Sequence, residues 1–252
     1  MFIDIHTHVQ QFSDEDLELL VNNSKNSNIE LIIAAGTTIS DSRKTINLSK
    51  KYDLIYSAVG IHPQNILDED TKGYLNILEE FTKNEKTIMI SEIGLDIQPD
   101  SPDINLQKEF FSNQINIARK SKLPIAFHVR SAEKESIDLI ASENIKDIKS
   151  VAHYFVGNYE YAKKLLDNNC YISIAKPFLR DEILAEVISK LPLEKLVIET
   201  DSYPQYFKKN RMRWTEPKDL ILIVNKLSEI LDVNKSKLIE ILNKNAKNIL
   251  GI

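Results

Sequence analysis

Phe2-Ile3-Asp4-Ile5-His6-Thr7-His8 stands at the start of the chain, and its reading decides the fold. An apolar, β-branched run that ends in His-x-His has the pattern of a buried strand with polar side chains at its carboxyl end. Residues two apart on a strand point to the same side, so His6 and His8 project together and begin a divalent metal site. Working outward, seven further β-like runs follow at 30–35, 55–60, 87–92, 124–128, 150–153, 171–174 and 196–199. Helical periodicity fills the intervals, as at 14–23 with Ser13 as N-cap, 104–120 (Leu106, Phe110, Ile117, Ala118), 216–231 and 236–250. Strands that alternate with helices imply parallel βαβ units. Eight such units in about 250 residues is the size of a (β/α)8 barrel. The chain of 252 residues therefore reads as α/β, a single-domain (β/α)8 TIM-type barrel over 1–252. A doubly wound open sheet is the rival. The first strand has no Gly-rich phosphate loop after it, which weakens the dinucleotide-binding form of that rival.

Where the polar residues fall favours the barrel. His6, His8, Gly60-Ile61-His62-Pro63, Glu92, His128, His153 and Asp201 all lie at or just beyond the carboxyl ends of these runs. A barrel brings those ends to one mouth, where active sites are built. His128 follows Pro124-Ile125-Ala126-Phe127 and His153 follows Val151-Ala152. Glu92 closes Ile88-Met89-Ile90-Ser91, where burial penalises a carboxylate without a partner; a metal is one partner, an arginine the plain alternative. Four imidazoles and two carboxylates exceed the needs of one tetrahedral site. They match a pair of divalent ions about 3.5–4 Å apart, with Glu92 as the bridge. Asp201 suits both metal binding and general-base work. His62 is expected to touch substrate, the alternative being a loop residue stiffened by Pro63. Arg130, two residues past His128, is expected to grip a phosphate; its alternative is a surface ion pair.

Composition sets limits. Apolar residues make up 42% and charged residues 27%, ordinary for a globular protein. A formal charge of −5 argues against a surface that coats itself with nucleic acid, although a local basic patch can still bind one. Such a patch is Lys208-Lys209-Asn210-Arg211-Met212-Arg213-Trp214, near Tyr203, Tyr206 and Phe207. Interleaved cations and rings suit single-stranded nucleic acid, so Lys208 and Arg211 join the expected substrate contacts; a solvated loop is the alternative. Cys170 is the one cysteine, which excludes an internal disulfide and a thiolate zinc site. No apolar run approaches the ~20 residues that span a bilayer, and no secretory signal opens the chain, so no membrane partner and a cytoplasmic location are expected.

Taken together, the motifs resemble the TatD-like metal-dependent deoxyribonucleases of the amidohydrolase superfamily. Those that carry the resemblance are Asp4-Ile-His6-Thr-His8, Gly60-Ile-His62-Pro63, Ser91-Glu92-Ile-Gly-Leu-Asp96, Gln107-Lys-Glu-Phe-Phe-Ser-Asn-Gln114, Leu123-Pro-Ile-Ala-Phe-His128-Val-Arg130, His153-Tyr-Phe155-Val-Gly157, Pro192-Leu-Glu-Lys-Leu-Val-Ile-Glu199-Thr-Asp201-Ser202, Glu216-Pro217 and Asn245-Ala-Lys-Asn-Ile-Leu250. The resemblance implies a barrel that hydrolyses phosphodiester bonds in DNA with divalent metal and 3′→5′ exonuclease character. It implies metal ligands at His6, His8, Glu92, His128, His153 and Asp201. Imidazole-rich sites favour zinc, nickel or manganese, whereas family precedent points to magnesium. Three departures fall at the mouth: Tyr203-Pro204 where the family has Pro-Tyr, Ile97-Gln98-Pro99-Asp100 after Asp96, and Lys176-Pro177 in place of a Gly-containing turn. Substrates therefore stay open between DNA, an aminoacyl ester on transfer RNA, an amide and a lactone. A non-catalytic metal-binding scaffold is the rival from another class.

Overall fold

Each apolar run becomes a strand in the computed structural model, which describes residues 1–69, 73–206 and 214–252. The strands are β1 (Phe2–Thr7), β2 (Ile29–Ala35), β3 (Ile55–Val59), β4 (Thr87–Asp96), β5 (Ile125–Arg130), β6 (Ser150–Ala152), β7 (Tyr171–Ile174) and β8 (Leu196–Ile198). Neighbours pair in parallel in chain order. The ring closes at the segment just past β8: Thr7 bridges Ser202, the His8 N–H donates to the Ser202 carbonyl at 2.8 Å, and the Asp201 N–H donates to the His6 carbonyl at 3.1 Å. On the other face of this seam the buried Asp4 carboxylate accepts the Thr200 N–H at 2.9 Å and its hydroxyl. The parallel (β/α)8 barrel expected from the sequence is the fold observed.

The surrounding helices are α1 (Asp14–Asn26), α2 (Ile39–Lys51), α3 (Tyr74–Phe81), α4 (Ile104–Ser121), α5 (Glu133–Ser142), α6 (Tyr159–Asp167), α7 (Glu182–Ser189), α8 (Leu220–Leu231) and α9 (Lys235–Leu250). Ser13 caps α1 as expected, its hydroxyl accepting the Asp16 N–H at 3.2 Å. The segment expected as one helix from 216 begins instead as a 3-10 turn, Pro217–Asp219, and becomes α-helical at Leu220. Glu216 and Asp219 there form a reciprocal capping box. No helix of the described residues is long and apolar enough to cross a membrane.

Two strands carry an irregularity that positions the site. Ile3, Ile5, Ile33, Ala58, Met89, Ala126, Val151 and Val197 share one apolar cluster drawn mainly from the strands, the filling of the barrel. On β5, β6 and β8 the same parity leads directly to His128, His153 and Asp201. On β1 and β4 it does not, since Ile5 and Met89 have the opposite parity to His6 and Glu92. The register of β1 against β2 slips between Asp4 and Thr7, and that of β4 against β5 slips between Ile90 and Ile93. One extra residue in each strand reverses the parity. Beyond these bulges His6, His8, Glu92 and Asp96 face the same interior as the other candidate ligands. β4 also runs four residues past the expected end at 92. Gly94 (φ 142°) allows this, because a Cβ there would lie 2.0 Å from the His128 carbonyl oxygen.

Candidate metal centre

Glu92 sits at the middle of the mouth, 5% exposed, and its two oxygens face different neighbours. Oε2 lies 3.3 Å from His8 Nε2 and 3.8 Å from His6 Nε2. Oε1 lies 2.7 Å from His153 Nε2, 3.1 Å from His128 Nδ1 and 3.7 Å from His62 Nε2. Asp201, in the left-handed backbone region (φ 48°), places Oδ1 3.3 Å from His8 Nε2 without a directed hydrogen bond. The six residues expected as ligands are thus brought together. Three sets, His6/His8/Glu92, Glu92/His128/His153 and His6/His153/Asp201, each hold their donor atoms within 4.8 Å of one another.

The contacts behind these rings decide which nitrogen faces the centre. His8 Nδ1 lies 2.9 Å from the Ala35 carbonyl, His153 Nδ1 lies 3.1 Å from Glu199 Oε1, and His128 Nε2 lies 3.0 Å from Asp96 Oδ2. Each of those nitrogens donates, which assigns the lone pair of a neutral ring to the nitrogen that faces Glu92. Lone pairs and carboxylate oxygens then confront one another at 2.7–3.3 Å, an arrangement that calls for a cation between them. Buried and without a hydrogen bond, His6 Nε2 and Asp201 Oδ1 add to the same demand. The donor set, imidazole nitrogen and carboxylate oxygen backed by hydrogen-bonded outer groups, fits divalent metal. The buried carboxylates exert the same demand for positive charge, which on His153 takes the form of a retained proton. Burial opposes charge on His153, yet Glu92 and Glu199 push it up to about 10. Burial likewise opposes charge on Glu92, and the imidazoles around it, His153 foremost, hold it well below the usual carboxylate range. Burial, joined by the neighbouring His128 and His8, pushes His62 down to about 4 against the opposing charges of Glu92 and Asp96.

Some supporting residues stand in the sequence motifs without a role assigned to them there. Asp96 and Glu199, fully buried, hold His128 and His153; Glu199 also accepts the Tyr154 N–H at 2.9 Å and the Ser173 hydroxyl. Their signal was strand parity, Asp96 four past Glu92 and Glu199 two before Asp201. Gln107 and Gln114, two turns apart on α4, each clamp one mouth residue by both backbone groups. Gln114 accepts the Ile61 N–H at 2.7 Å and donates to its carbonyl at 3.2 Å. Gln107 does the same for Asp96, at 2.8 and 3.0 Å. Above the centre opens a cleft of about 780 Å³ lined by Gln11, Asn65, Arg130, Tyr154 and Tyr203 among others. His62 lies on its wall. Arg130 reaches it with the side chain 58% exposed and Nη1 3.8 Å from Asp96 Oδ2, the ion pair weighed as its alternative. Lys208 and Arg211 lie outside the described residues.

Fold and site together define a parallel α/β barrel whose mouth is a nest of imidazoles and carboxylates able to hold divalent metal. The chain belongs to the TatD-related DNase family, whose model matches residues 3–251. It is 30% identical, over the full length of both chains, to the metal-dependent hydrolase YabD of Bacillus subtilis. It is 25% identical to the human deoxyribonuclease TATDN3, covering 97% of this chain and 92% of that one. The crystal structure of the TatD homologue YJJV from Escherichia coli superposes with a TM-score of 0.90 at 22% identity, covering 100% of this chain and 98% of the other; that likeness shows the fold.

Proposed function

We propose that residues 1–252 form one hydrolase unit, cytoplasmic, that cleaves phosphodiester bonds of single-stranded DNA from the 3′ end with two divalent ions. His6, His8 and Asp201 would hold one ion and His128 and His153 the other, with Glu92 offering an oxygen to each. The observation that carries this reading is the division of Glu92, one oxygen toward each histidine pair. Relatives named deoxyribonucleases support DNA as the substrate.

Divalent metal, when bound, supplies a Lewis acid for a phosphoryl oxygen and makes a water more acidic. The chain's own groups do the rest. Asp201 Oδ1 takes a proton from the attacking water as its oxygen bonds to phosphorus. The bond from phosphorus to the 3′ oxygen breaks, and that oxygen leaves with a proton from solvent, releasing a 5′-mononucleotide. Arg130 holds the phosphate by its guanidinium. The cleft has the size of a small-ligand pocket, which suits a strand end more than a duplex.

The test is degradation of 3′- and 5′-end-labelled single-stranded DNA with magnesium, manganese, zinc or nickel, beside charged transfer RNA, an amide and a lactone. Asp201→Asn and Glu92→Ala should each lose at least about a thousandfold in turnover while circular dichroism stays native. Full activity in either variant, or turnover only of the non-phosphodiester substrates, overturns the reading.

A further inference from the structure

We propose that His62 presents an Nε2–H as a hydrogen-bond donor to a phosphoryl oxygen in the cleft and ligates no metal. This rests on the phosphodiester reading above. By proximity alone His62 looks like a seventh ligand: with Asp96 and His128 it forms a further set whose donor atoms lie within 4.8 Å, and its ring meets that of His128 edge-on at 4.6 Å.

The hydrogen bonds around the ring give the opposite chemistry. The Gln64 backbone N–H donates to His62 Nδ1 at 3.1 Å. A backbone N–H can only donate, so Nδ1 keeps its lone pair there and the neutral ring carries its hydrogen on Nε2. A doubly protonated ring would set N–H against N–H and is excluded by the same contact. Nε2, the nitrogen that faces Glu92 Oε1 at 3.7 Å, therefore has no lone pair to offer a cation. His8, His128 and His153 show the reverse order, with the outer nitrogen donating and the inner one free to ligate.

The residue is also held against swinging. Its N–H donates to the Thr37 carbonyl at 2.9 Å, both backbone groups of Ile61 are clamped by Gln114, and Pro63 restricts its backbone from the other side. A fixed, uncharged donor on the wall of an anion-binding cleft complements Arg130, which brings the charge. Glu92 Oε1 at 3.7 Å is beyond hydrogen-bond range, which leaves the N–H open to a phosphoryl oxygen that enters the cleft.

Two measurements on the zinc-loaded, full-length protein test this. Histidine-selective 15N NMR should show His62 with Nε2 protonated and Nδ1 bare, before and after zinc. Titration with inorganic phosphate should weaken by about tenfold to a hundredfold in His62→Ala, the range for one hydrogen bond to a charged group. It should recover most of that in His62→Gln, whose amide NH2 reaches a similar position, with the zinc stoichiometry unchanged in both. A hydrogen on Nδ1, a His62 shift characteristic of a ligated Nε2, a lost zinc equivalent, or unaltered phosphate affinity in His62→Ala overturns the proposal. Failure of the nuclease reading is a separate event: the wild-type protein would cleave no DNA while these phosphate and NMR results still decided the role of His62.

Discussion

Glu199 shows what a single residue contributes without facing the cleft. Its carboxylate accepts from the His153 ring, the Tyr154 N–H and the Ser173 hydroxyl, so it fixes both the ring nitrogen and the direction of the turn after β6. Glu199→Gln keeps the size but removes the charge and turns an NH2 toward groups that themselves donate. Metal affinity, read by calorimetric titration, should fall by about 10–100-fold with little change in secondary structure. Unaltered affinity would show that His153 is oriented by packing alone. At this scale the sequence disclosed which residues gather at the mouth, because imidazoles and carboxylates after apolar runs have few reasons to be there. It did not disclose which ring nitrogen faces inward. That depends on the Ala35 carbonyl, Asp96 and Glu199, partners that meet the rings only in three dimensions.

Among the elements, α4 acts as a beam that holds the loop after β3 and the end of β4 at once. Gln114→Leu would leave the Ile61 N–H and carbonyl buried without partners, at a cost of about 2–4 kcal/mol, measurable as a lowered urea midpoint with an unchanged slope. A midpoint within error of wild type would mean that water replaces the amide. The elements themselves were legible from apolar periodicity, and most boundaries fell within two residues. The bulges of β1 and β4 were not. Alternation read from Ile3 and Ile5 sends His6 away from the barrel interior, and only the register in the fold, slipping between Asp4 and Thr7, returns it. An inserted residue leaves no mark in a single sequence when both strand faces are apolar or buried. The 3-10 start before α8 was hidden for a related reason, since Pro217 fits the first turn of either kind of helix.

Over the whole molecule, burial makes stability depend on pH at a place remote from the mouth. Cys170 is fully buried and its Sγ receives the Ser150 hydroxyl at 3.3 Å; burial pushes the thiol up from 9.0 to about 11. Between those values the folded protein keeps a proton that the unfolded chain releases, so stability falls as pH rises through that window, by the order of 3 kcal/mol. Urea unfolding at pH 8, 9.5 and 11 should show the decline, and Cys170→Ala should remove this residue's share of it; an identical decline in the variant would assign it elsewhere. The barrel itself was readable from eight alternating units, whereas its closure was not, because nothing in β1 or β8 taken singly names the other as neighbour. That seam has a further consequence for the protein's birth on the ribosome. A nascent polypeptide that has emerged only as far as α7 already owns every histidine in the chain and Glu92, yet lacks both Asp201 and the strand against which β1 must lie. The mouth is therefore completed late in translation and all at once, when the segment after β8 closes the ring.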